Sequence, residues 1–411
     1  MTIRLWKGYH ALELAPLIAR SWQENVLLIL CPPLLHDFSF LRALPAGDLE
    51  IYGAWTDAER AAVAAAPREG TVTFPEVPVL GVFTSGTLSP SPRLVLYAKR
   101  GVLASLNAIH ALFDSSRIEH LFCYPQAFHT FGLTLGYLAA HLNGWKLHTP
   151  EGKYSSAAHA QRLALRESRV LTLGTPTHFY DLLSAASSQS IAPSYSCNIG
   201  GASVSRALWN RVRTELKIEA PSIGYGCTEA APGIAHLPPG REPVFDDEIG
   251  LPLPSLASQI LPDQGVEIHG ESLCMAVIQS GRMEFPKSLI IRDRIDLSRE
   301  GVWLYRGRLD LLMNRGGAKF SLEAIEKTLF DRLGLTAVAT TVRDPRLGED
   351  LGVAFMQGAE NAVTEAATVL REVYSLKLQH MRFVEEMPLN ESSKLDRKSV
   401  WTMFQEESTL R

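Results

Sequence analysis

The sequence is poor in cysteine, and its cysteines do not occur at a spacing typical of metal or redox sites. Five are scattered along the 411 residues without a Cys-x-x-Cys pair: Cys31, Cys123, Cys197, Cys227 and Cys274. A structural zinc site and a disulfide framework are therefore not expected. This cysteine usage fits a reducing compartment, and we expect a cytoplasmic protein.

An excess of charge and long hydrophobic runs are also missing. The chain has 40 Lys and Arg against 44 Asp and Glu, a net charge of -4. This balance gives no indication of a nucleic-acid or membrane-surface partner. The apolar stretch 26–35 is short and is interrupted by Pro32 and Pro33, so we expect no stable membrane insertion. The hydrophobic share of 46% is typical of a soluble globular chain, here of two or three domains.

Strand-like apolar runs alternate with amphipathic, helix-like stretches between residues 77 and 235. Strands are predicted at 121–124, 170–173 and 197–200, and helices at 100–113, 131–142 and 203–216. The alternation predicts an α/β fold with layered sheets. Residues 245–308 favour short strands joined by turns. The segment 316–411, with a helix at 322–333, predicts a compact α+β unit.

A hydroxyl- and glycine-rich loop, 84–93, follows an apolar run that is typical of a buried strand. Its residues Thr84, Ser85 and Thr87 offer hydroxyl donors, and Gly86 lets the backbone approach a ligand closely. Such a loop at the end of a strand is able to wrap a polyphosphate, although clusters of this composition are more often plain surface loops.

Three further segments carry groups suited to a nucleotide. In 224–229, a Tyr between two glycines is able to stack on a base, the Thr to reach a phosphate and the Glu to hold Mg²⁺; a turn with a helix cap is the alternative. Asp293 offers two oxygens to ribose hydroxyls and Arg308 a positive charge, with a surface ion pair as the alternative. Lys394, near the end of the chain, is by itself an ordinary solvated lysine.

Taken in order, these motifs resemble the acyl-adenylate-forming enzyme superfamily: acyl-CoA synthetases, adenylation domains and luciferases. The order is Thr-Ser-Gly-Thr, Tyr-Gly-x-Thr-Glu, an Asp upstream of Gly-Arg-x-Asp, and Ser-Lys-x-Asp-Arg. Shorter matches lie between them, at 128–132, 176–183, 200–202 and 248–254. A narrower similarity, to the o-succinylbenzoate-CoA ligases of menaquinone synthesis, rests on the segments 291–294, 307–311 and 315–319.

The resemblance implies an AMP-forming acid–thiol ligase with ATP, Mg²⁺ and CoA, acting on a small carboxylic acid. It implies a large AMP-binding domain, 1–309, shortened at its start, a small mobile C-terminal lid, 310–411, that rotates about Asp310, and a possible homodimer. The implied site residues are Thr84, Ser85, Gly86, Thr87 and Arg93 for the pyrophosphate-side oxygens; Thr228 for the α-phosphate; Glu229 for Mg²⁺; Gly200, Gly201, Ala202, Gly224, Tyr225 and Gly226 around the adenine; Asp293 and Arg308 for the ribose; Lys394 between carboxylate and α-phosphate; and His129 at the thiol tunnel.

Two departures from the family pattern leave alternatives open. The phosphate loop is one residue longer than usual and has Arg93 where relatives have lysine, and only about 80 residues precede it, against roughly twice that in relatives. The alternatives are a stand-alone adenylation enzyme that loads a carrier-protein thiol, and a non-catalytic nucleotide-binding homologue.

Overall fold

The computed structural model describes residues 1–9, 13–71, 73–84, 93–152, 154–155, 158–186, 191–262, 265–388 and 396–405. Four residues with a predicted site role lie outside these ranges: Ser85, Gly86, Thr87 and Lys394. None of the described helices is long and apolar enough to cross a membrane.

The strands of the described residues are β1 (Ile3–Lys7), β2 (Leu27–Cys31), β3 (Leu49–Gly53), β4 (Pro78–Thr84), β5 (Arg93–Ala98), β6 (His120–Cys123), β7 (Lys146–His148), β8 (Val170–Gly174), β9 (Ser194–Gly200), β10 (Ile218–Gly226), β11 (Gly233–Leu237), β12 (Glu248–Pro252), β13 (Leu256–Ile260), β14 (Val266–Gly270), β15 (Ala276–Gln279), β16 (Arg282–Glu284), β17 (Leu289–Ile291), β18 (Asp293–Leu297), β19 (Trp303–Arg308), β20 (Leu312–Arg315), β21 (Ala318–Ser321), β22 (Ala337–Asp344), β23 (Gly348–Met356) and β24 (His380–Val384).

The α-helices are α1 (Leu14–Glu24), α2 (Asp57–Ala65), α3 (Lys99–His110), α4 (Ala139–Asn143), α5 (Ala158–Ala164), α6 (Pro176–Ala186), α7 (Arg206–Thr214), α8 (Leu322–Leu333), α9 (Val363–Tyr374) and α10 (Arg397–Gln405). A π-helix, Phe131–Leu138, precedes α4. Short 3-10 turns lie at Ser39–Ala43, Ser115–Arg117, Thr228–Ala230, Leu309–Leu311 and Glu360–Ala362.

Two large sheets form the body of the molecule. One has seven strands in the order β16-β15-β5-β4-β2-β1-β3, and the other has nine in the order β18-β19-β12-β11-β10-β9-β8-β6-β7. Apolar residues of α1, α3 and the π-helix fill the space between the two sheets, while α6 and α7 cover the outer face of the larger one. The predicted fold class, α/β with layered sheets, is confirmed.

A smaller α+β unit completes the chain, as its composition predicted. Its sheet has the order β21-β20-β23-β22, with β24 paired to β23. Helices α8 and α9 pack their apolar faces on this sheet, around the fully buried Ile325, Leu329 and Leu370. Helix α8 begins where predicted because the Ser321 side chain accepts a hydrogen bond from the Ala324 amide. The boundary at 309/310 stays a prediction.

The segment 131–142, predicted to be helical, is a helix, and most of it, Phe131–Leu138, is a π-helix. Two glycines let it lie unusually close to its neighbours. A Cβ at Gly132 would lie 2.2 Å from the Gln126 carbonyl oxygen, and one at Gly136 would lie 2.5 Å from Cys123 Sγ. The second of these contacts places the π-helix directly against strand β6 of the larger sheet.

Candidate nucleotide-binding site

The glycine-rich ends of β9 and β10 leave a patch of nearly bare backbone. Gly200 pairs with Gly224 in parallel register, and a Cβ on Gly200 would lie 2.9 Å from the Gly224 carbonyl oxygen. Gly201 has φ +80°, which favours glycine, and Gly201 and Ala202 are exposed. Gly201 and Ala202 thus present exposed backbone, whereas Gly200 is buried against Gly224, and the predicted adenine contact of these residues stays a prediction.

Tyr225 continues this patch and contacts the predicted ribose carboxylate. Its hydroxyl donates a 2.6 Å hydrogen bond to Asp293 Oδ2, and its ring lies 6.1 Å from that of Tyr305. Burial raises the pKa of Asp293, while the Tyr225 hydrogen bond acts against that rise. Two residues that are distant in sequence are therefore brought into direct contact.

Arg308 lies beside Asp293 because β18 and β19 are antiparallel neighbours. The two residues are paired in register, and the Leu309 amide donates to the Arg292 carbonyl at 2.6 Å. The Arg308 guanidinium forms two hydrogen bonds with Asp310, Nε to Oδ1 at 2.7 Å and Nη2 to Oδ2 at 2.5 Å. These bonds raise the pKa of Arg308. The predicted ribose and hinge residues thus form one charged cluster.

The Thr228–Glu229 turn, which follows β10, is fixed to the smaller of the two large sheets. The Tyr97 hydroxyl donates to the Thr228 carbonyl at 2.5 Å, and the Cys274 amide donates to the Glu229 carbonyl at 2.7 Å. Gly226 is required just before the turn, since a Cβ there would lie 1.7 Å from the Pro232 carbonyl oxygen. The turn is therefore held from two sides.

Arg93 meets Glu229 directly. Its Nη1 lies 3.1 Å from Glu229 Oε1, and the two side chains are 31% and 12% exposed. Thr84, opposite Arg93 in the β4–β5 register, has a buried hydroxyl oxygen without a hydrogen-bond partner among the described residues. No group of three or more His, Cys, Asp or Glu in the described ranges could hold a metal ion. A Mg²⁺ ion on Glu229 would have to share one carboxylate with a guanidinium, so the residues as arranged do not fit it.

The family model described as AMP-binding enzyme matches residues 27–274. The chain belongs to the AMP-binding enzyme family.

Individual relatives of this family are similar at low identity. Acyl-CoA ligase sidI of Aspergillus fumigatus is 25% identical over 317 residues, which are 70% of this chain and 52% of that protein. The chain thus spans about half the length of this curated relative.

Two solved structures share the fold over almost the whole chain. The anthranilate CoA ligase AuaEII with anthranoyl-AMP has a TM-score of 0.78 at 15% identity, covering 99% of this chain and 88% of that one. The o-succinylbenzoate CoA synthetase of Bacillus subtilis with ATP and magnesium has a TM-score of 0.74 at 16% identity, covering 97% and 88%. At these identities the likeness shows the fold alone.

Of the two remaining predicted site residues, the structure describes His129 but not Lys394. His129 is half-buried just before the π-helix, with its ring centroid 4.5 Å from that of Phe128, and its gate role stays a prediction. Lys394 lies outside the described residues, but residues near it are fixed: the Asp396 amide donates to the Pro388 carbonyl at 2.8 Å, and Arg397 forms an ion pair with Glu326.

Sequence reasoning missed two residues that hold the site. Tyr97 supports Thr228, and Glu323 of α8 accepts hydrogen bonds from the Tyr305 hydroxyl at 3.0 Å and the Arg308 amide at 2.9 Å. The alternation of strand β5 offers a signal for the first, because Tyr97 lies four residues after Arg93 and so on the same face. No sequence signal indicates Glu323.

Proposed function

We propose that this chain is an AMP-forming, ATP-dependent acid–thiol ligase that activates a carboxylic acid and transfers the acyl group to CoA. The observation that carries the proposal is the contact of Tyr225 with Asp293, which is paired in register with Arg308. A base, a ribose and a phosphate chain that runs on toward Thr228 would find suitable groups in that order.

The chemistry requires positioning and charge stabilisation more than covalent participation. A carboxylate oxygen attacks the α-phosphorus of ATP, the bond to the bridging oxygen breaks, and pyrophosphate leaves with the electron pair. The CoA thiolate then attacks the acyl carbon, and AMP leaves. Because AMP is a far better leaving group than oxide, the acid becomes an acyl donor.

Each part of ATP has a proposed partner in this chain. Asp293 accepts from the ribose hydroxyls and Arg308 adds positive charge beside them. Thr228 donates to the α-phosphate, Arg93 neutralises the phosphate chain with Thr84, Ser85 and Thr87, and Lys394 stabilises the charge that develops between carboxylate and α-phosphate. Mg²⁺ is given none of these roles because Arg93 already pairs with Glu229.

For the acid, we propose o-succinylbenzoate or another aromatic acid. The proposal is supported by the segments 291–294, 307–311 and 315–319, and by the likeness in fold to ligases named for o-succinylbenzoate and anthranilate.

The test is a panel of carboxylic acids with ATP, read by AMP release with CoA present. The panel contains o-succinylbenzoate, anthranilate, benzoate and short aliphatic acids. AMP release that requires both an acid and CoA supports the ligase. Release with a phosphopantetheinyl carrier protein but not with CoA would favour the carrier-loading enzyme. Absence of both AMP release and ATP–pyrophosphate exchange with every acid would contradict an adenylating function.

A further inference from the structure

Strand β5 places the positively charged Arg93 side chain next to the turn that contains Glu229. Residues alternate between the two faces of a strand, so Arg93 and Tyr97 lie on the same face of β5. The Tyr97 hydroxyl donates to the Thr228 carbonyl at 2.5 Å, and the Arg93 guanidinium reaches Glu229 Oε1 at 3.1 Å. One strand face therefore supports both residues of the turn.

A third contact prevents the turn from moving away from Arg93. The Cys274 amide donates to the Glu229 carbonyl at 2.7 Å, and the next amide, of Met275, donates to the Leu96 carbonyl of β5 at 2.8 Å. Glu229 is thus tied through its backbone to a segment that is itself bonded to β5. The ion pair belongs to a fixed frame and does not depend on a loop.

The groups around Glu229 suit a guanidinium better than a second cation. A divalent ion on the same carboxylate would lie within a few ångströms of the Arg93 guanidinium, and like charges at that distance repel each other. The neighbouring thiols do not assist, since Mg²⁺ prefers oxygen ligands and burial raises the pKa of Cys274 to about 12. Guanidinium donors, by contrast, can bridge a carboxylate and a phosphate.

We propose that Arg93 takes the place of a carboxylate-bound divalent cation, so that a nucleoside triphosphate binds this chain without needing a divalent metal ion. The proposal rests on the ATP site of the proposed function. Arg93 is 31% exposed, and the buried hydroxyl oxygen of Thr84 opposite it has no hydrogen-bond partner among the described residues. The Arg93 guanidinium thus presents donors for phosphate oxygens beside the Thr228 turn.

The experiment is a calorimetric titration of adenosine 5′-(β,γ-imido)triphosphate into the full chain, with EDTA and with Mg²⁺. We expect the two dissociation constants of the wild type to agree within about threefold. Arg93→Gln should weaken binding in EDTA at least tenfold, and added Mg²⁺ should then restore part of it, because Glu229 is released. The dissociation constant of Arg93→Lys in EDTA should lie between those of the wild type and of Arg93→Gln. Arg117→Gln, which breaks the surface pair with Glu219, is the matched control and should change neither value.

Glu229→Gln gives an independent test that leaves Arg93 in place. Under the proposal, this variant binds the nucleotide in EDTA as tightly as the wild type or more tightly, because the Glu229 carboxylate no longer competes with the phosphates for Arg93. If Glu229 instead holds Mg²⁺, the variant loses affinity in Mg²⁺. Wild-type binding that requires Mg²⁺ would overturn the inference and leave the ligase proposal standing. No binding in either condition would overturn both.

Discussion

At the scale of single residues, the contact between Tyr225 and Asp293 would determine how the proposed ATP site binds a ribose. The Tyr225 hydroxyl already occupies Oδ2 at 2.6 Å, which leaves Oδ1 and the remaining lone pair of Oδ2 as acceptors. Burial raises the pKa of Asp293, so the carboxylate gains from each further donor. Ribose hydroxyls would supply such donors.

Asp293→Asn should therefore weaken ATP binding by about 1–3 kcal/mol, because one charged acceptor is replaced by a neutral amide with a donor on one side. The affinity for 2′,3′-dideoxy-ATP should change far less, since that nucleotide lacks the hydroxyls. Calorimetric titration of both nucleotides measures the difference. Asp296→Asn, on the same strand and in an ion pair with Arg306, is the control. Equal losses for both nucleotides would remove the ribose role.

An ion pair between β1 and α2, outside the proposed ATP site, predicts how the stability of the protein depends on pH. Lys7 is 3% exposed, and its ammonium forms an ion pair with Glu59, whose pKa it lowers to about 2 from an ordinary 4.5. A carboxylate with a lowered folded pKa contributes stability above its unfolded pKa and loses it as the pH falls. We expect unfolding free energy to fall between about pH 4.5 and pH 2.

Glu59→Gln should remove that part of the pH dependence and lower stability at neutral pH by about 2 kcal/mol, since it leaves a buried ammonium unpaired. Urea unfolding at several pH values measures both effects. Glu215→Gln, in the exposed pair with Arg211, should cost less than about 0.5 kcal/mol. The prediction fails if the two variants behave alike.

At the scale of elements, one glycine controls the connection between β10 and the Thr228–Glu229 turn. A Cβ at Gly226 would lie 1.7 Å from the Pro232 carbonyl oxygen, and a backbone atom cannot move aside as a side chain can. Gly226→Ala should thus cost at least about 2 kcal/mol of stability and weaken ATP binding as the turn shifts. Gly301 is the control: its φ is +76°, and a Cβ there would have no heavy atom of the described residues within 4 Å apart from its chain neighbours.

Gly301→Ala should cost about 1–2 kcal/mol from its backbone conformation alone and should leave ATP binding unchanged. Chemical unfolding and calorimetric titration compare the two variants. Full ATP affinity in Gly226→Ala would show that the turn does not depend on this close approach.

Local sequence signals predicted elements well where a cap or an apolar period fixes them. Helix α8 has the predicted ends, and in the structure Ser321 caps its start and Gly334, in the left-handed conformation, its end. The helix predicted at 203–216 begins at Arg206, since the Ser205 side chain accepts from the Leu208 amide and so sets the first turn. The order of motifs indicated that Tyr225, Asp293 and Arg308 belong to one site. It could not predict the ion pair between Arg93 and Glu229, because that pair depends on how β5 packs against the turn after β10.

At the scale of the whole molecule, the proposed function gives Lys394 a role in one half-reaction only. Lys394→Ala should slow acyl-AMP formation by about 10²–10⁴-fold, the effect of losing a charge stabiliser, while thiolysis of supplied acyl-AMP stays nearly normal. Lys398→Ala, an exposed lysine on α10, is the control. Single-turnover assays of each half-reaction make the measurement, and equal losses in both would contradict the assignment.

The C-terminal unit contacts the larger sheet and its helices through α8. Glu323 bonds to Tyr305 and to the Arg308 amide, and the Phe330 ring centroid lies 5.9 Å from that of Tyr180 on α6. The Glu323 contacts lie next to the proposed hinge at Asp310, whereas the Phe330 contact lies farther along α8. If the unit rotates between half-reactions, the Phe330–Tyr180 contact exists in only one orientation and stabilises the half-reaction served by that orientation.

Phe330→Ala should therefore change the ratio of the two half-reaction rates by about 2- to 10-fold, the value of one aromatic pair. Rates of acyl-AMP formation and of thiolysis, measured separately on the same preparation, give this ratio. Phe383→Ala is the matched control, because the Phe383 ring is similarly exposed and its ring partner, Phe355, lies within the C-terminal sheet. A rigid enzyme would show the same ratio in wild type and in both variants, since no orientation would gain or lose population when the contact is removed.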